Sequence, residues 1–195
     1  MIPQISAMQT HQTDTISRFS PMPATRQHLL AELDRLAIAH ATITHPPVFT
    51  VEEAKQLRGK IDCGHTKNLF LKDKKDRLFL GVTLEDVPVD LKALGPMIGA
   101  RGRLSFAAAG LLREHLGVEP GSVTPFALFN NWKHSVTPVL DEAMLAVNPL
   151  NFHPLENTAT TAISSADLLK FVAACGHQSL TLCFPRRLGE AISES

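Results

Sequence analysis

Lys67 and Asn68 stand side by side at the head of an apolar run, within His65-Thr66-Lys67-Asn68. An ammonium donates hydrogen bonds and a carboxamide both donates and accepts, so the pair suits a ligand that is anionic and ends in a polar reactive group. Lys72, Lys74 and Lys75 follow closely. That combination points toward RNA carrying a small cargo. Two other places hold candidate chemistry. In Gly121-Ser122-Val123-Thr124-Pro125, the glycine lets main chain approach a ligand and offer N–H groups to a developing oxyanion, while the proline stiffens the exit. His153 lies in Asn151-Phe152-His153-Pro154-Leu155 as a lone imidazole. Each has a bland reading beside it: a solvated lysine, a tight turn, a structural histidine. The chain has no Gly-x-Ser-x-Gly elbow, no Walker loop, no His-Glu-x-x-His and no Gly-x-Gly-x-x-Gly.

The elements that must position these residues follow from pattern and punctuation. Residues 1–23 are rich in Ser, Thr and Gln, lack apolar periodicity and read as a disordered extension. Leu29, Leu30, Leu33 and Leu36 share one face of a helix expected from Thr25 to Ala39. His45-Pro46-Pro47 forces an extended turn, and Thr50-Val51-Glu52-Glu53 is a capping box opening a short helix that ends at Gly59. Asn68–Lys72 and Arg77–Val82 form a hairpin around Asp73-Lys74-Lys75-Asp76. The runs Leu69-Phe70-Leu71 and Leu78-Phe79-Leu80 are continuous rather than alternating, which predicts a sheet covered on both faces.

Asp90 opens a helix through Leu94, and Ser105 caps another through Leu116, closed by Gly117. Strands are expected at Phe126–Phe129, Val136–Leu140, Ala143–Val147 and Thr158–Ile163, then a helix from Ala166 to Ala174 capped by Ser164 or Ser165. Helices and strands mix without regular βαβ alternation. The prediction is an α+β fold: a single domain over residues 24–180 with a mixed β-sheet flanked by helices, and a tail over 181–195.

A chain of 195 residues can bury one substantial core but hardly two. No apolar run approaches bilayer length, which excludes a membrane protein of the helical kind. Formal net charge is zero, so global charge argues for no polyanion, and nothing suggests DNA. The distribution is uneven, however. From Lys55 to Arg77 there are eight Lys/Arg against three Asp, a local excess of 8 − 3 = +5, enough to hold one end of an RNA but not a long duplex. The three cysteines, Cys63, Cys175 and Cys183, form no paired framework, so the chain reads as reduced and cytoplasmic. Cys63-Gly64-His65 and Cys175-Gly176-His177 repeat a pattern, but one-residue spacing is poor chelating geometry. The better reading is that Gly176 ends a helix and the cysteines pack as small apolar residues, so neither metal nor other cofactor is expected.

Taken together, several ordered blocks resemble the YbaK/prolyl-tRNA synthetase-associated editing domain family. They are His45-Pro-Pro-Val-Phe-Thr50, Gly64-His-Thr-Lys-Asn-Leu-Phe-Leu-Lys-Asp-Lys-Lys75, Arg103-Leu-Ser-Phe106, Leu116 to Phe126, and His153-Pro-Leu-Glu-Asn-Thr158. The resemblance runs from about Thr25 to His177, and the Thr66-to-Lys75 string favours the free-standing Ala-tRNA(Pro) deacylase branch. Ala107-Ala108-Ala109 and Phe129-Asn-Asn-Trp-Lys133 depart from the family's usual pattern.

The resemblance implies a hydrolase that removes alanine from mischarged tRNA(Pro). It implies that the essential lysine is Lys67, that the family's Gly-x-x-x-Pro loop is Gly121 to Pro125, and that Asn68 and His153 line the aminoacyl pocket. Thr50, Ser105, Ser122, Thr124 and Pro125 join the expected substrate contacts. Lys72, Lys74, Lys75 and Lys133 are candidates for acceptor-stem phosphates. The implied partners are the tRNA(Pro) acceptor end and prolyl-tRNA synthetase. Three alternatives stand beside this: a deacylase for Cys-tRNA(Pro) or Ser/Thr-charged tRNA, a non-catalytic tRNA- or synthetase-binding module, and a hydrolase using Cys63.

Overall fold

The computed structural model describes residues 22–47 and 64–187. The expected helix between Thr50 and Gly59, Cys63, and the first 21 residues lie outside them. In chain order the elements are α1 (Arg26–Arg35), β1 (His40–Thr44), β2 (Gly64–Lys72), β3 (Leu78–Leu84), α2 (Leu91–Met97), β4 (Ser105–Phe106) and α3 (Ala109–Leu116). A 3-10 helix (Pro125–Asn130) follows, then β5 (Val136–Asp141), α4 (Glu142–Leu145), β6 (Leu150–Phe152), β7 (Ala159–Ile163), α5 (Ser165–Ala174) and β8 (Leu180–Leu182). The strands make one eight-stranded mixed sheet in the order β1-β7-β6-β2-β3-β5-β8, with β4 also paired to β2. The β2/β6, β3/β5 and β5/β8 pairs are parallel and the others antiparallel. This is the α+β, mixed-sheet architecture expected from the sequence.

Strand alternation sorts the side chains onto two faces. On the first, Phe70, Leu80, Val82 and Leu140 pack under Leu29 and Leu33 of α1, Leu112 and Leu116 of α3, and Leu168 and Phe171 of α5. Phe126 of the 3-10 helix is the centre of this layer, edge-on to Phe152 at 5.6 Å and to Phe171 at 5.4 Å. On the second face, Leu71, Phe79 and Val139 are covered by Leu94 and Ile98 at α2, by Val87 and Val89, and by Phe184. Strands β3 and β5 and the Phe70–Leu71 end of β2 are therefore buried on both sides, which is why these stretches run apolar without alternation. On β1 the second face is open: Ile43 is 62% exposed.

Several expectations are corrected here. Phe126–Phe129 is not a strand but part of the 3-10 helix, because Thr124 caps the Phe126 N–H and Pro125 sits at the first helical position. Ala143–Val147 is not a strand: Asp141 accepts from the Ala143 N–H and opens α4, and the strand comes later as β6. Ser105 caps no helix. Its main chain pairs with Lys72 in β4, and α3 begins after Ala108 with no side-chain cap. The first helix stops at Arg35, and His40–Thr44 is a strand bonded to β7. The expected tail from 181 is also displaced, since Thr181 and Leu182 pair with β5 and Phe184 is 5% exposed in the core. Among the described residues no helix is long and apolar enough to cross a membrane.

Candidate functional site

Along one edge β2 is bonded to β3 from Thr66 to Lys72, but its other edge changes partner. Gly64 and His65 pair with Leu150 and Asn151 of β6, whereas Leu71 and Lys72 pair with Phe106 and Ser105 of β4. Between these pairings β2 and β6 part company and the sheet is split. The Thr66 hydroxyl donates to the Asn151 carbonyl at 2.9 Å, bridging the apex of the split.

A cleft enclosing about 330 Å³, open to solvent, occupies this split. Thr66, Asn68 and Phe152 line it from the face that carries the main core. His65, Asn151, His153 and Thr160 line it from the other face. The main chain also points in. His65 C=O accepts from Glu85 on the β3 side and Phe70 C=O accepts from Ala107 on the β4 side. Alternation then turns the Asn68 N–H and C=O away from β3, into the opening.

Two imidazoles at the cleft, those of His153 and His45, are oriented by main-chain carbonyls. His153 Nδ1 lies 3.0 Å from the Ala159 carbonyl, which can only accept. Nδ1 therefore carries the proton, and in the neutral ring Nε2 is the basic nitrogen. His45 Nδ1 likewise donates to the Pro46 carbonyl at 2.8 Å, so His45 Nε2 accepts from the Thr160 hydroxyl at 2.9 Å. The His45 and His153 rings are 6.3 Å apart. A strained turn follows His153, with Leu155 at φ +70. Glu156 holds this turn by accepting from Thr158 at 2.6 Å and from Arg26 of α1 at 2.9 Å.

Lys67 is paired in register with Thr83, on the same face as His65. It borders the cleft without lining it. Burial pushes its ammonium below the ordinary lysine value, while the carboxylates of Asp86 and Glu85 pull the other way. The expected loop sits differently. Gly121 is exposed at φ +89, a left-handed conformation that favours glycine, and a Cβ there would lie 3.9 Å from Asn157 Nδ2. The loop thus flanks the turn after His153. Ser122, Thr124 and Pro125 are buried as structural parts of it, with Ser122 N–H donating to Glu119 C=O at 2.9 Å. Ser105 is at the far end of β2, about 13 Å along the strand from Asn68. Thr50 lies outside the described residues.

At that far end the hairpin and the 99–103 loop form one basic surface around a buried anion. Asp73, 2% exposed, accepts from the N–H groups of Lys75, Arg77 and Arg101 and from the Arg77 guanidinium, at 2.8 to 3.1 Å. Burial by itself would raise the Asp73 pKa, but these donors outweigh it and hold the carboxyl well below the usual range. Lys74, Lys75, Arg101 and Arg103 are exposed around it, while Lys72 is paired with Asp76 at 2.9 Å. Lys133 stands over the Trp132 ring at 5.1 Å, two strands away at the same end of the sheet.

Of the residues singled out in the sequence, the structure brings Asn68 and His153 into one cleft and places Lys67 beside it. It leaves Ser105, Ser122, Thr124 and Pro125 out of the lining. Sequence reasoning missed His65, Thr66, Asn151 and Thr160 in the lining, His45 behind Thr160, and Arg101 and Arg103 in the basic surface. Asn151 was the most findable, two residues before His153. Cys175 is buried at the end of α5 and packs with the main core, with Gly176 following at φ +84, as the bland reading expected.

Comparison with known proteins shows the family. The aminoacyl-tRNA editing domain family matches residues 45–171. The chain is 42% identical over 161 residues to prolyl-tRNA synthetase associated domain-containing protein 1 of Danio rerio, covering 82% of this chain and 87% of that protein. It is 38% identical over 157 residues to the prolyl-tRNA editing protein ProX of Acetoanaerobium sticklandii, covering 78% and 93%. A crystal structure of a candidate trans-editing enzyme for prolyl-tRNA synthetase shares the fold with a TM-score of 0.63, at 18% identity, covering 85% of this chain and 99% of that one. The chain belongs to the aminoacyl-tRNA editing domain family, in its YbaK/prolyl-tRNA synthetase-associated division, and is by class an aminoacyl-tRNA deacylase.

Proposed function

We propose that this protein is a cytoplasmic trans-editing hydrolase that removes alanine from mischarged Ala-tRNA(Pro), releasing alanine and free tRNA. The observation that carries the reading is the split-sheet cleft, where Asn68 and His153 line one small, solvent-open space. A synthetase pocket built for proline discriminates poorly against a smaller side chain, because a missing methylene is worth only about 1–3 kcal/mol. A second sieve that admits alanine and excludes proline supplies the remainder.

Hydrolysis of an activated ester needs a placed water and a stabilised oxyanion more than a protein nucleophile. Water oxygen bonds to the ester carbonyl carbon, the bond to the ribose oxygen breaks, and that oxygen takes up the proton the water gives up. In this reading Asn68 and His153 orient the alanyl amino group and the water, and Lys67 anchors the ribose or phosphate of the terminal adenosine. Gly121 flanks the site from the turn after His153. The basic surface of Lys74, Lys75, Arg101 and Arg103 lies about 13 Å from Asn68 along β2, a spacing that suits phosphates of the acceptor stem behind the 3′ end. Lys72 and Lys133 stand at its margins. The ProX relative is named for prolyl-tRNA editing, and other relatives for association with prolyl-tRNA synthetase, which we propose as a docking partner.

The test is deacylation of Ala-, Cys-, Ser- and Pro-tRNA(Pro) by the wild type beside Lys67→Ala. Rapid loss of Ala-tRNA(Pro) alone, abolished by the variant, is the expected result. Preference for cysteine or serine would move the substrate and keep the site, and full activity of Lys67→Ala would remove Lys67 from it. Binding of tRNA with no hydrolysis of any substrate would make the protein a binding module.

A further inference from the structure

The main-chain and side-chain groups of the cleft leave two carboxamide atoms without a partner. Asn68 Oδ1 and Asn151 Nδ2 are both buried and, among the described residues, neither makes a hydrogen bond. One is an acceptor and the other a donor, and both residues line the same cleft from opposite faces of the sheet. Leaving a buried polar group unpaired costs about 1–3 kcal/mol. A complementary pair of such atoms where β2 parts from β6 is the pattern left when a ligand supplies the missing partners. An aminoacyl ester has the matching groups a few bonds apart: an ammonium that donates and a carbonyl oxygen that accepts.

We propose that Asn151 is a catalytic residue of this cleft, its Nδ2 donating to the ester carbonyl oxygen and to the oxyanion formed from it, while Asn68 Oδ1 receives the substrate ammonium. The assignment rests on the deacylase reading above and gives the oxyanion a donor other than the Gly121 loop, which does not line the cleft. Asn151 is well placed for the task because its main chain is held from several directions. It pairs with His65 of β2 and with Ala162 of β7, and its carbonyl accepts from Thr66 at 2.9 Å. A donor on a rigid strand needs little reorganisation as charge develops on the carbonyl oxygen. Water adds to the carbonyl carbon, whose π electrons move to the oxygen facing Nδ2, and they return as the ribose oxygen departs with the bonding pair and takes the proton that the attacking water gives up. Asn151 neither gives up nor gains a proton.

The experiment is single-turnover and steady-state deacylation by Asn151→Asp and Asn151→Ala beside the wild type, with thermal melting and binding of uncharged tRNA as controls. Asn151→Asp keeps the shape and exchanges the donor for an acceptor. The expected result is a fall in kcat of about 10²- to 10³-fold with KM changed by less than about threefold, the size seen when one oxyanion donor is removed. The pH profile adds a signature that a structural role would not produce. A protonated carboxyl can donate, so the ratio of Asn151→Asp to wild-type kcat should rise as pH is lowered toward 5.

Wild-type-like kcat in either folded variant overturns the assignment. So does a loss confined to KM, or a loss in Asn151→Asp whose ratio to wild type is flat with pH. Failure of the wild type to hydrolyse any charged tRNA is a different result and sinks the deacylase reading itself.

Discussion

Adding one carbon at Gly64 should pry the sheet apart at the apex of the cleft. A Cβ there would lie 2.8 Å from Leu150 Cδ2, 2.8 Å from Val147 Cγ1 and 3.4 Å from the Pro149 carbonyl oxygen. Carbon–carbon contact is comfortable at about 3.5–4.0 Å, so the two side chains would have to retreat by about 0.7–1.2 Å. Gly64 cannot simply withdraw, because its N–H donates to that same Pro149 carbonyl at 2.9 Å and it pairs in register with Leu150. Overpacking of this kind costs about 1–3 kcal/mol. At about 2–4 °C per kcal/mol for a chain of this size, Gly64→Ala should lower Tm by about 2–12 °C. The strain falls on Leu150, one residue before Asn151, so the cleft should widen as well. A misplacement near 1 Å can cost about 100-fold in rate. The variant should therefore lose about 10- to 100-fold in kcat/KM at temperatures where it is still folded. Gly81→Ala is the control, since its Cβ would meet only Phe184 at 3.5 Å and Leu69 at 3.7 Å, ordinary contacts. Melting by circular dichroism and deacylation of labelled alanyl-tRNA read both quantities. Wild-type activity in a destabilised Gly64→Ala would show that the β2–β6 apex does not set the cleft, and equal damage from Gly81→Ala would refute the packing argument.

Asp73→Asn should lower Tm and flatten the acid limb of the stability curve. The folded pKa of Asp73 is depressed, so its contribution is present above the unfolded value near 4 and is lost as pH falls below it; a wild type and variant with parallel Tm curves from pH 6 to 3 would contradict this. His177 is buried at 6% exposure, and its pKa is lowered first by burial and then by the nearby His134 ring, 4.9 Å away. Its folded value lies below the unfolded 6.5, so protonation opposes folding and wild-type stability should fall as pH drops below about 6.5. His177→Leu should reduce that slope, and an unchanged slope in urea titrations at pH 7 and 5 would refute it. Removing Lys75 and Arg103 should raise KM for charged tRNA without lowering kcat. The salt dependence of tRNA binding should then weaken by about 0.7–0.9 in log–log slope per lost phosphate contact, and an unchanged slope would place the RNA elsewhere.

The sequence was legible where a residue's local chemistry decides its structure. The β2–β3 hairpin and the Ser164 cap of α5 follow from neighbours in the chain and stand as expected. Phe126–Phe129 reads as a strand because it is short and apolar, but a capping threonine and a proline at its start decide for a 3-10 helix. Ser105 has the right residue type for a cap, yet the edge of β2 claims its main chain first. The site was half legible for a similar reason. Asn68 and His153 belong to local motifs, whereas Thr160 and Asn151 become neighbours of β2 only through a parallel pairing and a hairpin far along the chain. Asp73 stands in the expected hairpin turn, and only its burial shows that it fastens Arg101 to the hairpin. Contacts of that kind are set by topology, and no local pattern carries them.

In the proposed reading, the split is what lets this fold act on an ester without a triad. A continuous sheet consumes its own main-chain donors and acceptors in ladder bonds, and its interior side chains are apolar. Where β2 leaves β6 before it meets β4, Asn68 keeps its main-chain groups aimed at open space, and the side chains on either side of the gap need not be apolar. Polar groups there are held by strands rather than by loops, so they can be placed with the accuracy that charge stabilisation requires. The stability lost to the unpaired atoms of Asn68 and Asn151 is small beside what the two apolar layers bury, and those layers meet only where β2, β3 and β5 run side by side. Placing the cleft at the margin of that doubly covered region lets one sheet serve as core and, in the proposed reading, as catalytic frame.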